Sequence, residues 1–297
     1  MKPAMVWTVQ RGDGRRVGAI VEAMKNLGAP ADGRIFLNGR PAELSESVDP
    51  GDRVELYPRR DGTTAPEEVR VLAQRDGIVL AFKPAGLPTE TTRLGEDSLV
   101  SALLSHFKGG KLHAASRLDA MVSGVVTCTL GRDAARRIEA HREEGKIERV
   151  YLAIAKGRLM GEGEWDAPLA RVTDRAGRHR SVPEARGAKD ARTRYRVVAT
   201  TDEATLLELR PVTGRMHQLR AHAAHAGHPL YGDRRYGGPT SLIAGDGSVL
   251  AADRIALHAW RVALPHLRAE APAGATLAGW WRALGGRLDD HPAFNAG

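Results

Sequence analysis

Residues 116–130 read SRLDAMVSGVVTCTL and join a short polar loop to an apolar run that predicts a buried strand. Asp119 stands between apolar neighbours just before that strand. A buried carboxylate without a partner is costly, so Asp119 requires a cation close by. The alternative is a structural aspartate that caps a turn through its carboxylate. The spacing alone leaves both interpretations open.

A second segment, later in the chain, offers such a cation. Residues 211–220 read PVTGRMHQLR, and a Thr-Gly turn there precedes a helix predicted over residues 216–226. His217 and Arg220 are three residues apart and therefore share a helix face. A guanidinium is always charged and offers several donors, so Arg220 is a natural partner for a buried Asp119 and would hold it ionised. An ordinary surface helix with salt bridges is the other interpretation.

The elements around these two segments do not alternate regularly between strand and helix. Strands and helices are predicted over residues 78–82 (strand), 99–107 (helix), 124–130 (strand), 133–144 (helix), 150–155 (strand), and 194–199 and 205–209 (a hairpin). This order favours an α+β fold with a mixed, mostly antiparallel sheet.

A small N-terminal unit precedes this domain. Residues 17–24 have helical spacing, residues 34–40 predict a strand entering an Asn-Gly turn, and residues 53–57 alternate like a strand. We expect a small α+β domain over residues 1–60, a linker over 61–68, a catalytic domain over 69–270 and a C-terminal tail over 271–297. In the tail, Trp280 and Trp281 are expected to pack in a core.

The charge of the chain favours a polyanionic partner. Its net charge is +8 and its pI about 9.9, which makes nucleic acid a natural candidate. Residues 171–196 hold nine Lys or Arg against three Asp or Glu. The first half of this segment is expected to be a loop that tracks phosphates, with a solvated surface loop as the alternative.

The sequence disfavours several kinds of chemistry. Cys128 is the single cysteine, which excludes an intramolecular disulfide and a cysteine-based zinc site, and it is expected in the core. The four histidines within residues 217–228 lack HxxxH spacing, so no metal site is expected. There is no P-loop, no GxGxxG after a strand and no GxSxG. No export signal or membrane span is evident, which favours the cytoplasm.

Four segments in order resemble the RluA branch of the pseudouridine synthases. They are residues 79–88 (VLAFKPAGLP), 117–124 (RLDAMVSG), 149–153 (RVYLA) and 213–222 (TGRMHQLRAH), the last followed by 227–237 (GHPLYGDRRYG). The resemblance spans residues 70–262. It implies a monomeric enzyme that isomerises uridines in ribosomal or transfer RNA without a cofactor or metal. Residues 1–60 are similar to the alpha-L RNA-binding motif but are nearly neutral in charge, so this small domain is expected either to bind RNA or to cap the main domain.

The resemblance also assigns roles to individual residues. Asp119 would be the catalytic aspartate, acting on the sugar, on the base or in an elimination, and Arg220 would pair with it. Tyr151 would stack against the uracil and serve in proton removal. Arg117 would enter the RNA stack where the target uridine has flipped out. The remaining substrate-binding candidates lie on the same segments: Lys83, Arg215, His217 and Gln218.

The chain departs from the family pattern beside these residues. Ser116 stands where the family has His, Val122 where it has Thr, and Met216 where it has a small hydroxyl residue. These departures keep open a second hypothesis, an RNA-binding protein that retains the fold without turnover.

Overall fold

The computed structural model describes residues 5–29, 33–58, 68–91, 97–104, 106–107, 111–173 and 179–294. They form two compact units, one within Met1–Thr63 and Thr91–Asp97 and the other within Thr64–Glu90 and Ser98–Gly297. No helix in these ranges is long and apolar enough to cross a membrane. The linker expected over residues 61–68 lies almost wholly outside the described residues, so the domain boundaries remain predictions.

The first unit is one helix on a four-stranded antiparallel sheet of order β1-β4-β2-β3. Its elements are β1 (Met5–Thr8), α1 (Val17–Asn26), β2 (Gly33–Leu37), β3 (Arg40–Pro41) and β4 (Arg53–Pro58). The helix buries the apolar stripe that its spacing predicts. Asn38 and Gly39 both have positive φ, 51° and 78°, as a two-residue hairpin turn between β2 and β3 requires.

The second unit holds the remaining strands and helices. Its strands are β5 (Arg70–Arg75), β6 (Ile78–Lys83), β7 (Leu112–Ala114), β8 (Ser123–Leu130), β9 (Glu148–Lys156), β10 (Glu162–Asp166), β11 (Leu169–Thr173), β12 (His179–Pro183), β13 (Arg192–Thr200), β14 (Ala204–Pro211), β15 (Ser241–Ile243), β16 (Val249–Ala251), β17 (Leu257–Leu264) and β18 (Leu267–Glu270). Its helices are α2 (Leu99–Leu104), α3 (Gly131–Glu143), α4 (Gln218–His225) and α5 (Gly274–Ala283), with 3-10 turns at Arg234–Tyr236, Leu288–Asp290 and Pro292–Phe294.

A large sheet of order β10-β13-β14-β9-β17-β8-β6-β5 forms the middle of this unit, with β18 added beside β17 and β7 beside β8. Only β8 and β17 pair in parallel among the strand pairs of the described sheet. The fold class expected from the sequence, α+β with a mixed and mostly antiparallel sheet, is confirmed.

The start of β8 is fixed against β17 by a close approach of two backbones. Gly124 has φ of 121°, and a Cβ built on it would lie 2.3 Å from the carbonyl oxygen of Ala259. Only glycine fits such a contact. The loop that carries Asp119 therefore leads directly into one of the most tightly packed points of the sheet.

Part of the basic segment over residues 171–196 forms strand where a loop was expected. Residues 171–173 of β11 pair with β12 in antiparallel register, whereas residues 174–178 of the predicted loop lie outside the described residues. Leu169 packs in an apolar group with Ala191 and Ala221, which buries one end of this strand pair. The prediction of a loop was therefore wrong for residues 171–173 and 179–183, where Pro183 ends a strand instead of interrupting one.

The C-terminal segment packs into the second unit. Trp280 and Trp281 of α5 are buried in the same apolar group as Ile154 of β9, which confirms the expected core packing. Cys128 is also buried, and burial raises the pKa of its thiol to about 12. The thiol is therefore a core group, as its apolar neighbours predict.

Candidate active site

Asp119 and Arg220 meet at the end of the sheet. Arg220 Nη1 donates a hydrogen bond to Asp119 Oδ2 at 2.6 Å. The side chain of Arg220 is 6% exposed and that of Asp119 is 32% exposed. The ion pair is therefore buried at its cationic end and open to solvent at its carboxylate, and the cation that Asp119 requires is Arg220.

A second carboxylate completes the pairing of Arg220. Asp233, buried just before the 3-10 turn, accepts from Arg220 Nε at 2.6 Å and from Nη2 at 2.7 Å. Burial alone lowers the pKa of Arg220, but the hydrogen bonds and charges of Asp233 and Asp119 outweigh it, so the pKa lies above its usual value. Asp233 thus fixes the guanidinium plane, and one nitrogen is left for Asp119.

His217 lies next to Asp119 from a position just outside α4. Its backbone has φ of 52°, in the left-handed region, and α4 begins one residue later. The prediction that His217 shares a helix face with Arg220 was therefore wrong in its geometry. Both side chains nevertheless reach Asp119, because His217 Nε2 is 3.4 Å from Asp119 Oδ1.

A chain of hydrogen bonds leads from His217 to the basic hairpin. Tyr236 Oη is 3.1 Å from His217 Nδ1 and accepts from the backbone N–H of Ser181 at 2.8 Å. Because a carboxylate only accepts, we assign the proton to Nε2 facing Asp119, so that Nδ1 accepts the hydroxyl proton of Tyr236. Burial lowers the pKa of His217 and raises that of Tyr236, which keeps both rings neutral.

Lys83, at the end of β6, connects the loop of Asp119 to the turn that follows β6. Lys83 is fully buried, and its Nζ donates to the carbonyl oxygens of Pro84, Leu87 and Ala120 at 2.9, 2.6 and 3.2 Å. Burial lowers the pKa of Lys83 to about 7. Since these carbonyls take up its donors, the placement favours a structural role over the expected substrate contact.

Backbone contacts tie the same loop at two further points. Gly86 N–H donates to Ala120 O at 2.7 Å. Thr89 Oγ1 donates to Leu118 O at 3.0 Å and accepts from Leu118 N–H at 3.1 Å. Asp119 is therefore flanked on both sides by fixed residues, which restricts the direction of its carboxylate.

Tyr151 lies on β9, half-buried, opposite Leu209 of β14 and Ala259 of β17. The ring packs against the same apolar group as Leu118 and Met121, the residues on either side of the Asp119–Ala120 pair. Burial raises the pKa of its phenol, Arg149 opposes this shift and the charge of Asp119 adds to it. A raised pKa keeps the phenol protonated at neutral pH, which favours a stacking face over a proton acceptor.

Arg117 points away from this cluster. Its side chain is 74% exposed, and Nη1 lies 3.1 Å from a carboxylate oxygen of Glu90, itself 44% exposed. An exposed ion pair of this kind contributes little stability. The guanidinium can therefore leave Glu90 and bind another anion close to Asp119.

Arg215 and Gln218 were expected to bind substrate. Gln218 is buried, and its amide bonds Thr213 Oγ1, Arg215 N–H, Thr193 Oγ1 and the carbonyl oxygen of Arg192. These contacts make Gln218 a brace between α4 and β13. Arg215 is exposed, and its Nε donates to Asp190 O at 2.9 Å, so it remains a candidate for contact with RNA.

Two members of the histidine cluster, His222 and His228, bond groups of the fold. His222 bonds Thr193 Oγ1 and Ala167 O, each at 2.9 Å, and His228 Nδ1 lies 3.0 Å from Lys156 O. Across the described ranges, no group of three or more His, Cys, Asp or Glu side chains is arranged to hold a metal ion.

Asp233, Tyr236 and Ser181 are the contributors that sequence reasoning missed. Asp233 and Tyr236 lie in the segment 227–237 that carried part of the resemblance, but nothing local marks their partners. Ser181 had no signal, because it acts through its backbone N–H.

Two of the departures from the family pattern flank the loop of Asp119. Ser116 Oγ accepts from Thr127 N–H at 2.9 Å and so supports β8. Val122 is buried in the apolar group that includes Leu219 of α4. Among the described residues, neither side chain forms a hydrogen bond to Asp119.

Comparisons with known proteins identify the family to which the chain is similar. Residues 77–225 match the family model described as RNA pseudouridylate synthase. The chain is 34% identical over 182 residues to tRNA pseudouridine synthase C of Salmonella typhimurium, covering 57% of this chain and 70% of that protein. It is 33% identical over 225 residues to ribosomal large subunit pseudouridine synthase D of Xanthomonas campestris, covering 72% and 66%. The solved human RNA pseudouridylate synthase domain containing 4 superposes with a TM-score of 0.57 at 25% identity, covering 72% of this chain and 92% of that one.

Proposed function

Because the chain belongs to the RluA family of RNA pseudouridine synthases, we propose that Asp119 is the residue with which it isomerises uridine in ribosomal or transfer RNA. The observation that carries the proposal is the pairing of Asp119 with Arg220. The guanidinium orients the carboxylate through a charge-assisted hydrogen bond, while a third of the carboxylate side chain stays open to a substrate.

The reaction changes bonds without changing composition. The bond between N1 of uracil and C1′ of ribose breaks, a bond between C5 and C1′ forms, C5 loses a proton and N1 gains one. An ionised carboxylate suits each route by which Asp119 acts: attack on the sugar, attack on the base, or proton removal in an elimination. Because nothing is oxidised or reduced, the proposed step requires no redox cofactor.

The neighbours of Asp119 take distinct parts in this proposal. Arg220 and His217 orient its carboxylate, and Asp233 orients Arg220. Tyr151 offers a flat apolar face for stacking of the flipped uracil. Its protonated phenol makes proton removal from C5 a task for another group, and we assign that task to the carboxylate of Asp119.

Arg117 is proposed to enter the RNA stack at the position that the target uridine leaves. A uridine inside a stacked strand cannot reach a carboxylate in a protein loop, so it has to flip out. A guanidinium is flat and cationic, and it can stack on bases while it neutralises phosphates. The exposed ion pair with Glu90 costs little to break.

We also propose that the enzyme acts as a monomer in the cytoplasm. The small first unit is proposed to contribute to RNA selection.

The test is tritium release from RNA transcripts that carry tritium at C5 of uracil, because C5 loses its hydrogen when it bonds to C1′. Purified protein is incubated with ribosomal and transfer RNA transcripts in the presence of a chelator, and the modified position is then mapped. Release from one transcript class assigns the substrate. Absence of release from both classes would contradict the proposal and favour the RNA-binding alternative.

A further inference from the structure

A cleft of about 360 Å³ lies beside the proposed active site, between β12, α4 and the 3-10 turn Arg234–Tyr236. Its apolar floor includes Val182 and Ala221, and its polar rim carries Arg180, His225 and Arg235. The volume lies near the lower end of the range of roughly 300–1,000 Å³ that small-molecule sites occupy. The cleft is thus large enough for one nucleotide unit.

The rim of this cleft is cationic. Arg180 and Arg235 are both exposed, and the lining contains no Asp or Glu. Among the described residues neither guanidinium has an ion-pair partner within 4.0 Å. Arg235 Nη1 donates to His179 O at 2.8 Å, which anchors its guanidinium at the mouth of the cleft. Two guanidinium groups on an apolar floor favour a phosphate that is attached to a less polar body.

One residue connects this cleft with Asp119. Tyr236 lines the cleft, and its hydroxyl bonds His217, which faces Asp119. The charge of Arg235 is also close enough to lower the pKa of His217. A strand whose uridine lies at Asp119 therefore passes within reach of the cleft with a neighbouring nucleotide.

We propose that this cleft is a subsite for the substrate RNA, in which Arg180 and Arg235 hold a backbone phosphate next to the target uridine while the apolar floor contacts the attached sugar. This inference rests on the proposed function, because it takes the uridine at Asp119 as its reference point. Phosphate contacts position a nucleic acid without reading its sequence. The subsite therefore contributes to binding and register, and the chemical step is left to Asp119.

The first test compares two double variants that remove the same charge. Arg180→Ala/Arg235→Ala empties the rim of the cleft, and Arg186→Ala/Lys189→Ala removes two exposed cations of the same basic segment outside it. Tritium release is measured against RNA concentration, and binding of a fluorescein-labelled transcript is measured against salt. We expect the cleft variant to raise KM about 10-fold and to flatten the salt slope by about one or more. Its rate at saturating RNA should stay within about threefold of wild type.

The second test identifies the phosphate. Synthetic stem–loops that contain the mapped uridine carry a neutral methylphosphonate at one flanking position at a time. We expect one position to weaken wild-type binding and to leave binding by the cleft variant unchanged. Calorimetric titration with inorganic phosphate distinguishes a free anion from an RNA phosphate. Tight, saturable binding of inorganic phosphate that the cleft variant abolishes would contradict an RNA subsite.

The outcomes separate this inference from the proposed function. If the wild type is active and the cleft variant binds RNA as tightly as the control variant, the subsite is wrong. The assignment of Asp119 would not be affected by that result. A wild type that releases no tritium would contradict the proposed function. Binding of the labelled transcript still decides on the cleft in that case, because it requires no turnover.

Discussion

The guanidinium of Arg220 and the carboxylate of Asp119, 101 residues apart in sequence, lie 2.6 Å apart. The guanidinium is buried, and it also forms two hydrogen bonds to Asp233. A buried Arg between two carboxylates is held in one plane, so it presents a fixed donor to Asp119. This rigid pairing is the basis of the account of catalysis.

Arg220→Lys should lower the rate of tritium release by about 100-fold or more, because a misplacement of a catalytic group by about 1 Å is enough for such a loss. A lysine keeps the charge but cannot form the planar pair of bonds to Asp233 while it reaches Asp119. Single-turnover release at saturating RNA measures the effect. Arg136→Lys, at an exposed pair with Asp133, is the control. A rate within about threefold of wild type for Arg220→Lys would show that the planar geometry is unimportant.

Tyr236→Phe should lower the rate at saturating RNA by about fivefold. The substitution keeps the ring under Arg220 but removes the hydroxyl that bonds His217, and loss of one such hydrogen bond costs about 1 kcal/mol. The dependence of the rate on pH should also change, because the imidazole of His217 loses the hydrogen bond that fixes its orientation. Tyr231→Phe, which loses a bond to Glu203 O, is the matched control. Equal effects from both variants would reduce Tyr236 to a packing role.

The pairing of Asp119 with Arg220 could be foreseen, whereas its supports could not. A carboxylate before a buried strand demands a cation, and that demand can be stated from the sequence alone. The position of His217 outside α4 depends on a left-handed backbone, which no apolar pattern reports. Asp233 gave no local signal either, because a short polar segment after a helix is compatible with an exposed carboxylate.

Elements with a regular apolar period were predictable, and those stabilised by distant contacts were not. The stripe of α1 and the hairpin of β13 and β14 follow from their spacing. The hairpin of β11 and β12 is stabilised through Leu169, which packs on Ala221 of α4. Tertiary contacts of this kind override local sequence preference, and the basic composition of the segment conceals them.

Stability should fall as the pH drops below about 6.5. His258 is fully buried and bonded to Ser123 Oγ and Ala271 O, and burial lowers its pKa to about 3. Between about pH 6.5 and pH 3 the unfolded chain therefore binds more protons than the native state. The free energy of unfolding is highest above this range and falls as the pH decreases through it. At pH 5 this one group accounts for about 2 kcal/mol.

Urea unfolding between pH 7 and pH 4.5 tests that linkage. His258→Gln should show a shallower dependence of the unfolding free energy on pH, whatever its stability at pH 7. His113→Gln, at an exposed position, should keep the wild-type slope. An unchanged slope in His258→Gln would mean that another group is responsible.

Arg117→Ala should keep the melting temperature of the wild type and lose turnover. The side chain is exposed and its ion pair with Glu90 contributes little, but the RNA stack would lack the group that fills the vacated position. We expect a loss of about 10-fold or more in the rate, in line with a stacking contact of about 1–3 kcal/mol. Arg132→Ala on α3 is the exposed control. With a single-stranded substrate, in which the target uridine is unstacked, Arg117→Ala should lower the rate less. An equal loss of rate on both substrates would contradict a role of Arg117 in flipping.

The central claim, that Asp119 initiates the reaction, is tested most directly by Asp119→Asn. Asparagine keeps the size of the side chain and a hydrogen bond to Arg220 but removes the negative charge. Tritium release from the mapped RNA substrate is measured beside wild type, with RNA affinity and melting temperature recorded for both proteins. The account predicts no detectable release by Asp119→Asn, with RNA affinity retained. Release at a rate near that of wild type would contradict the assignment of Asp119.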